Sequence, residues 1–388
     1  MKIVVSMDTF KGSMNSWEAG NAAKNGIERA LASNGGKNEV VVFPLADGGS
    51  GIVEALTAGG DGKYEDIIVD GPLGDPVAFI YGVMKDNTVV MELSQAAGRT
   101  LVGEGNANPM KTSTYGLGQA IAAAIQKYGS GLKFKIEVDQ SATNDCGLGM
   151  LRALGYHFYD DQGNDLKGNG EDLLKIAEID DSQVIEGLDK CTFEIATDTD
   201  IPLYGEEGAA YTFAAKKGAD DSMIADLDDG MHNFADVVFW YNATDETQTP
   251  GAGCAGGLGY AFLSFTNCTF SKSSDMKAEA KKIRAELLEG ASLIVTGEGC
   301  IDEMTLKGKG PSKAISMAKE CGIPIIAIGG SVGKDLTGVH EAGISACFSI
   351  LNSIESEEQI LNQQNAIVNM EQTAEEVIRM LLLGSAIK

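Results

Sequence analysis

The chain opens on a short apolar, β-branched run at residues 2–6, followed by a polar loop and by a stretch over 15–33 in which Ala23, Ile27, Ala30 and Leu31 recur at helical spacing. Asn15 and Glu18 stand three apart at its start, the arrangement of a capping box. A second apolar run at 40–45 leads into Ala-Asp-Gly-Gly-Ser-Gly and a helical segment from about Ile52. The far end of the chain has the same texture. An apolar run at 293–296 enters Gly-Glu-Gly-Cys-Ile-Asp, a helix is predicted over 312–319, strands over 323–328 and 347–351, and a helix over 357–383. Strands and helices alternating at these lengths imply a parallel sheet covered on both faces.

Between the two ends the pattern changes. Residues 79–83, 88–93, 134–138 and 237–241 read as strands, mixed with helices and long glycine-containing loops. Neither end has enough strands to close a covered sheet alone. The predicted fold class is therefore α/β with two domains: a Rossmann-like parallel-sheet domain formed by residues 1–76 and 290–388, and a second, mixed α/β domain, 77–289, inserted in it.

Composition narrows the function. Apolar residues at 44% and charged residues at 22% are those of a globular chain, which excludes wholesale disorder. A formal charge of −26 repels DNA, RNA and anionic lipid, so neither a nucleic acid nor a membrane is expected as partner, and any anionic ligand must be met by locally gathered cations. Seven cysteines without a Cys-x-x-Cys and three scattered histidines, His157, His232 and His340, offer no metal-ligand spacing. The first apolar run is too short for a signal-peptide core and no run approaches a membrane span, so a cytoplasmic location is expected. The 49 glycines are near twice the usual share and cluster in loops, as tight turns and backbone approaching a ligand require.

Ligands of open α/β sheets bind outside the carboxyl ends of the strands. Three loops at such positions carry glycines, acids and hydroxyls: 8–13 with Lys11, 47–51 with Asp47, Gly48 and Gly49, and 297–302 with Glu298 and Asp302. The middle repeats the device at 139–145, with Ser141, Thr143 and Asn144 before a helix near 147–154. Further on, Asp198 and Asp200 offer carboxylates for Mg²⁺, and Lys216 and Lys217 offer charge for phosphate. The spaced glycines at 251–256 match a dinucleotide pattern only weakly, because residues 242–250 separate them from the nearest predicted strand; the loop reads as a phosphate contact or as close helix packing. There is no P-loop and no protein-kinase signature set.

Taken in order, the stretches 8–13, 47–51, 108–116, 141–145, 198–205, 250–259 and 296–311 make the chain resemble the bacterial glycerate kinases that form 2-phosphoglycerate. The resemblance spans nearly the whole length. It implies one α/β domain inserted in another, an interdomain cleft, and transfer of the γ-phosphoryl group of ATP to a glycerate hydroxyl with Mg²⁺. On that reading Lys11, with Lys217 or Lys309, meets phosphates or the substrate carboxylate. Asp198 and Asp47 orient the hydroxyl or bind Mg²⁺, Glu298 and Asp302 being the next metal candidates. Gly48, Gly49, Gly253, Gly256 and Gly257 let backbone approach the nucleotide, with Ser141, Thr143 and Asn144 adding hydrogen bonds. The sequence departs from the expected pattern at Asp139 and Gln140, where two glycines are expected, at Ile201, where Asn is expected, and at Cys300, where Arg is expected. A kinase for another small hydroxy acid, or a non-catalytic binder of the same fold, are the competing readings. Oligomeric state is left open.

Overall fold

A computed structural model describes residues 1–32, 35, 37–43, 51–60, 62–103, 105–306, 310–354 and 356–386. Asp47, Gly48, Gly49 and Lys309 lie outside the described residues. In chain order the main elements are β1 (Lys2–Met7), α1 (Ser16–Ala32), β2 (Glu39–Val42), α2 (Ile52–Gly59), β3 (Lys63–Asp70), β4 (Pro76–Val83), β5 (Thr88–Glu92), α3 (Tyr115–Tyr128), β6 (Lys133–Glu137), β7 (Thr192–Ala196), α4 (Asp221–Asn242), α5 (Cys254–Phe265), β8 (Asn267–Ser271), α6 (Ser273–Leu288), β9 (Ala291–Gly297), α7 (Gly310–Cys321), β10 (Ile325–Gly329), β11 (Ile344–Ser349) and α8 (Gln363–Ala386). The chain divides into two compact units, residues 1–47 with 281–388, and residues 48–280.

The first unit holds a five-stranded sheet in the order β11-β10-β9-β1-β2, every pair parallel. Both chain ends build it, as the alternating pattern predicts. Its core joins Ile3, Val5 and Met7 of β1 to Ala23, Ile27 and Ala30 of α1 and Met370, Ala374 and Ile378 of α8. The capping box forms: the Asn15 N–H donates to Glu18 Oε2 at 3.0 Å and the Glu18 N–H to Asn15 Oδ1 at 2.8 Å. Helices α1 and α8 meet at Gly26, where a Cβ would stand 2.1 Å from the Glu371 carbonyl oxygen. Gly26→Leu should therefore cost about 1–3 kcal/mol of stability through overpacking, read as a lower urea midpoint with unchanged slope.

The second unit holds a six-stranded sheet in the order β8-β7-β6-β5-β4-β3, parallel from β8 to β5 and antiparallel from β5 to β3. Its core is aromatic, with Phe134 and Phe193 stacked at 4.9 Å between ring centres. The boundary between the units falls at 47/48 rather than 76/77 because β3 pairs along its length with β4, from Lys63 opposite Val83 to Asp70 opposite Pro76. The other boundary falls at 280/281 rather than 289/290.

Two local expectations are corrected. Residues 237–241, read as a strand, end helix α4: Leu227, Met231, Phe234, Ala235 and Val238 are among its buried positions, a helical period that outweighs the β propensity of Val-Val-Phe-Trp-Tyr. The helix expected over 357–383 is two, Glu357–Leu361 and α8, parted at Asn362 with extended ψ of 123°. Among the described residues no helix is long and apolar enough to cross a membrane.

Candidate active site

In the first unit the strands, numbered by their order along the chain, run 2-1-3-4-5 across the sheet, so the strand order reverses between β1 and β9. Loops leaving the carboxyl ends of two such strands flank the position where doubly wound sheets bind ligands. After β1 come the buried Asp8 and the exposed Lys11; after β9 come the buried Glu298 and the half-buried Asp302. Asp8 Oδ1 accepts from the Thr9 N–H at 2.6 Å and Oδ2 from the Gly310 N–H at 3.1 Å, which ties β1 to the start of α7. Asp302 Oδ1 caps its own turn by accepting from the Met304 N–H at 2.7 Å. The Cys300 thiol is exposed and lies 3.7 Å from Asp302 Oδ2.

The second unit presents a cavity of about 310 Å³ beyond the carboxyl ends of β6 and β7. The strand ends supply Val138 to Ser141, Asp139 among them, and Thr197 with Thr199; Arg99, Lys216 and Lys217 add three basic side chains to the lining. Ser141 Oγ accepts from the Thr143 N–H at 3.0 Å and lies 2.8 Å from Thr143 Oγ1, so the loop closes on itself as a hydroxyl-lined turn. Lys217 is buried and donates to the Thr143 carbonyl at 2.5 Å. Burial pushes its ammonium pKa down to about 7, with Asp145 opposing and Arg99 adding to the shift. Lys216, exposed, stands 5.8 Å over the Phe213 ring.

Asp145 holds this loop together. Buried, it accepts from the Thr114 N–H and hydroxyl, both at 2.7 Å, and from the Gly147 and Gly149 N–H groups at 3.2 and 3.3 Å. Beside it Asn144 is fully buried, and neither atom of its amide has a hydrogen-bond partner. A buried amide left unmatched costs stability that a bound polar ligand could return.

The glycines of 253–257 serve packing. A Cβ at Gly253 would lie 2.2 Å from the Pro202 carbonyl oxygen, at Gly256 2.0 Å from that of Thr143, and at Gly257 2.5 Å from Cys146 Sγ. Ala255, Gly256 and Gly257 run left-handed at φ 50°, 76° and 88°, and from this stretch only Ala255 lines the cavity. Asp198, exposed, accepts from the Ser274 N–H at 3.1 Å and hydroxyl at 2.8 Å, bonds that hold its carboxyl below the usual range. Both bonds go to Oδ1, and Asp198 stands outside the cavity lining, between Thr197 and Thr199. Among the described residues no three His, Cys, Asp or Glu side chains gather as a cation cage.

Of the sequence-predicted residues, Ser141, Thr143, Asn144 and Lys217 thus come together in the second unit. Lys11, Glu298 and Asp302 come to one sheet edge in the first. Arg99 and Asp139 were not among the predicted site residues. Arg99 reaches the cavity because its N–H donates to the Gln140 carbonyl at 3.0 Å, a pairing across 41 positions for which the sequence carries no local signal.

The model of the glycerate kinase family matches residues 3–382. The chain belongs to that family. It is 36% identical over 386 residues to a glycerate kinase of Bacillus cereus, covering 99% of each. To the glycerate 2-kinase of Escherichia coli it is 34% identical over 355 residues, covering 91% of each. A crystal structure of a glycerate kinase 2 from Salmonella typhimurium LT2 aligns over 100% of this chain and 99% of its own, at a TM-score of 0.57 and 34% identity. The chain is accordingly a kinase of α/β fold, built on one parallel and one mixed sheet.

Proposed function

We propose that this member of the glycerate kinase family phosphorylates D-glycerate at its 2-hydroxyl, with ATP as donor. The observation that carries the reading is the gathering of Arg99, Lys216 and Lys217 with Ser141 around one cavity in a chain of net charge −26. Phosphoryl transfer asks a protein chiefly for charge neutralisation and in-line positioning. Basic side chains gathered around one cavity in an otherwise anionic chain supply the first, and loops at the ends of parallel strands supply the second. The Escherichia coli relative is a glycerate 2-kinase, which supports position 2.

Mg²⁺ fits the donors present. With no cage of three acidic, histidine or cysteine side chains among the described residues, the donor set suits a cation that arrives with phosphate and water ligands of its own. Asp198, whose Oδ1 is engaged by Ser274 while Oδ2 is left for a further partner, would hold it, and Glu298 with Asp302 are the acids of the first unit. The ion would neutralise charge on the transferred group. Arg99, Lys216 and Lys217 would bind the anionic ligand, and the Ser141 hydroxyl would orient it.

Purified protein with MgATP and D-glycerate should yield 2-phosphoglycerate. Enolase, which consumes that isomer and not 3-phosphoglycerate, reports it directly by phosphoenolpyruvate absorbance. Product that enolase cannot use would refute position 2; ATP binding without turnover would favour a non-catalytic binder, and turnover with another hydroxy acid alone would reassign the acceptor.

A further inference from the structure

We propose that Asp139, which stands where the family pattern has glycine, is this chain's own catalytic residue taking the proton of the acceptor hydroxyl, and that Ser273 and Glu137 carry that proton away from the cavity; the inference rests on the kinase reading above. Ser273 Oγ lies 3.0 Å from Glu137 Oε1 and 2.8 Å from Asp139 Oδ2. Lys277 Nζ bridges the same two oxygens, 3.0 Å from Glu137 Oε1 and 2.5 Å from Asp139 Oδ2. Two carboxylate oxygens, one hydroxyl and one ammonium thus form a closed ring at the carboxyl end of β6, opposite the start of α6.

The ring is short of one proton. A serine hydroxyl carries a single hydrogen, so its contacts with two carboxyl oxygens are both hydrogen bonds only when one carboxyl is protonated. Glu137 is the group suited to carry it. The charged groups that face it are Asp139 from the following loop, Lys277 from α6 and Glu92, its register partner on β5. Burial and the Asp139 charge push its carboxyl up to about 7, against the pull of Lys277. Near neutral pH it therefore both accepts and releases a proton at little cost.

Asp139 is the member of the ring that reaches the ligand, because it lines the cavity with Arg99, Ser141 and Lys217. Its Oδ2 is turned to Ser273 and Lys277, which leaves Oδ1 for a hydroxyl. Asp198 is absent from the cavity wall. In the transfer step the acceptor O–H bond breaks while its oxygen bonds to the γ-phosphorus of ATP; the bond from that phosphorus to the bridging oxygen breaks, and ADP leaves with the electron pair. The proton goes to Asp139 Oδ1; rotation of that carboxyl brings it to Ser273 Oγ, which takes it as its own hydrogen passes to ionised Glu137. Lys277, donating to both carboxylates, is a positioning residue.

The test uses the full chain with MgATP and a panel of hydroxy acids that includes D-glycerate. Turnover is measured from about pH 5.5 to 9 for the parent, Asp139→Asn, Ser273→Ala, Glu137→Gln and Asp198→Asn, beside ATP binding by calorimetry. The parent is expected to lose kcat as pH falls through about 7, where Glu137 is protonated and cannot receive. Asp139→Asn should lower kcat by about a hundredfold or more with ATP affinity kept. Ser273→Ala and Glu137→Gln should lower it less and flatten the acid limb, while Asp198→Asn should retain the limb. An Asp139→Asn variant that binds ATP and keeps kcat within about threefold of the parent overturns the base, whatever the acceptor. An acid limb unmoved in Glu137→Gln and Ser273→Ala overturns the relay, and these two variants carry the test alone should Asp139→Asn not fold. Turnover confined to another hydroxy acid overturns the glycerate reading and leaves Asp139 judged by the same comparison; a parent inactive with every acid overturns both.

Discussion

Lys217→Met is expected to weaken anion binding in the cavity strongly while making the ligand-free protein more stable near neutral pH. The lysine is buried, and its Nζ–H bonds to a neutral carbonyl, that of Thr143, rather than to a carboxylate. A cation held this way is costly in the empty cavity and valuable when an anion arrives. Loss of a charge-assisted hydrogen bond, about 1.5–3 kcal/mol, corresponds to roughly a ten- to hundredfold weaker Kd for ATP by calorimetry. The pH dependence has a definite sign. Burial depresses the folded-state pKa of Lys217 from 10.5 to about 7. Its contribution to stability is therefore present above the unfolded value and lost as pH falls through about 7, so stability should rise between about pH 7 and 9, and the rise should vanish in Lys217→Met. Glu137 acts in the opposite window: raised from 4.5 to about 7, its contribution is full below 4.5 and lost as pH rises through 7. Together they place a shallow stability minimum near neutrality, which Glu137→Gln should flatten on the acid side. Urea midpoints across pH measure both limbs. A Lys217→Met variant with parental ATP affinity and a parental alkaline limb would show that the ammonium neither meets the ligand nor titrates near 7.

Gly256→Val should be among the most damaging single changes in the second unit. Its backbone sits at φ +76°, and a Cβ there would stand 2.0 Å from the Thr143 carbonyl oxygen and 2.7 Å from Asn144 Cα, both backbone atoms that cannot step aside. Overpacking costs about 1–3 kcal/mol and a left-handed conformation about 1–2 kcal/mol more. For a unit of this size the sum corresponds to a Tm lower by on the order of 10 °C. Gly205→Val isolates the backbone share, since Gly205 has φ +95° and nothing within 4 Å of a Cβ. The two variants should differ by the packing term alone; equal losses would mean that the close approach of the 251–257 and 141–146 loops does not matter. Because the displaced atoms belong to the loop that carries Ser141 and Thr143, Gly256→Val should also lose ATP binding, whereas Gly205→Val should keep it.

Much of this was legible in the chain, and the physical reason separates what was from what was not. Capping at Asn15 and Glu18, the strands of both ends, and the buried face of α1 depend on neighbours within a few residues, and the sequence alone determined them. Membership of the family was equally readable, because ordered motifs are a property of the string. The Val237–Tyr241 segment was misread since β propensity is a weak local preference, and the buried positions that decide for helix lie mostly upstream of it. The domain boundary moved because strand pairing, here β3 with β4, is a choice of partner that no single strand announces. The glycines of 253–257 read equally as a phosphate contact or as close packing, and only the approach of the Thr143 and Pro202 carbonyls showed why side chains are excluded there. Arg99 and Asp139 entered the site through sheet register and loop docking, which bring Ser273 to Asp139 across 134 positions. Charge, hydrogen bonding and pKa at a site depend on such distances and on burial, and those quantities exist only once the chain has chosen its tertiary partners.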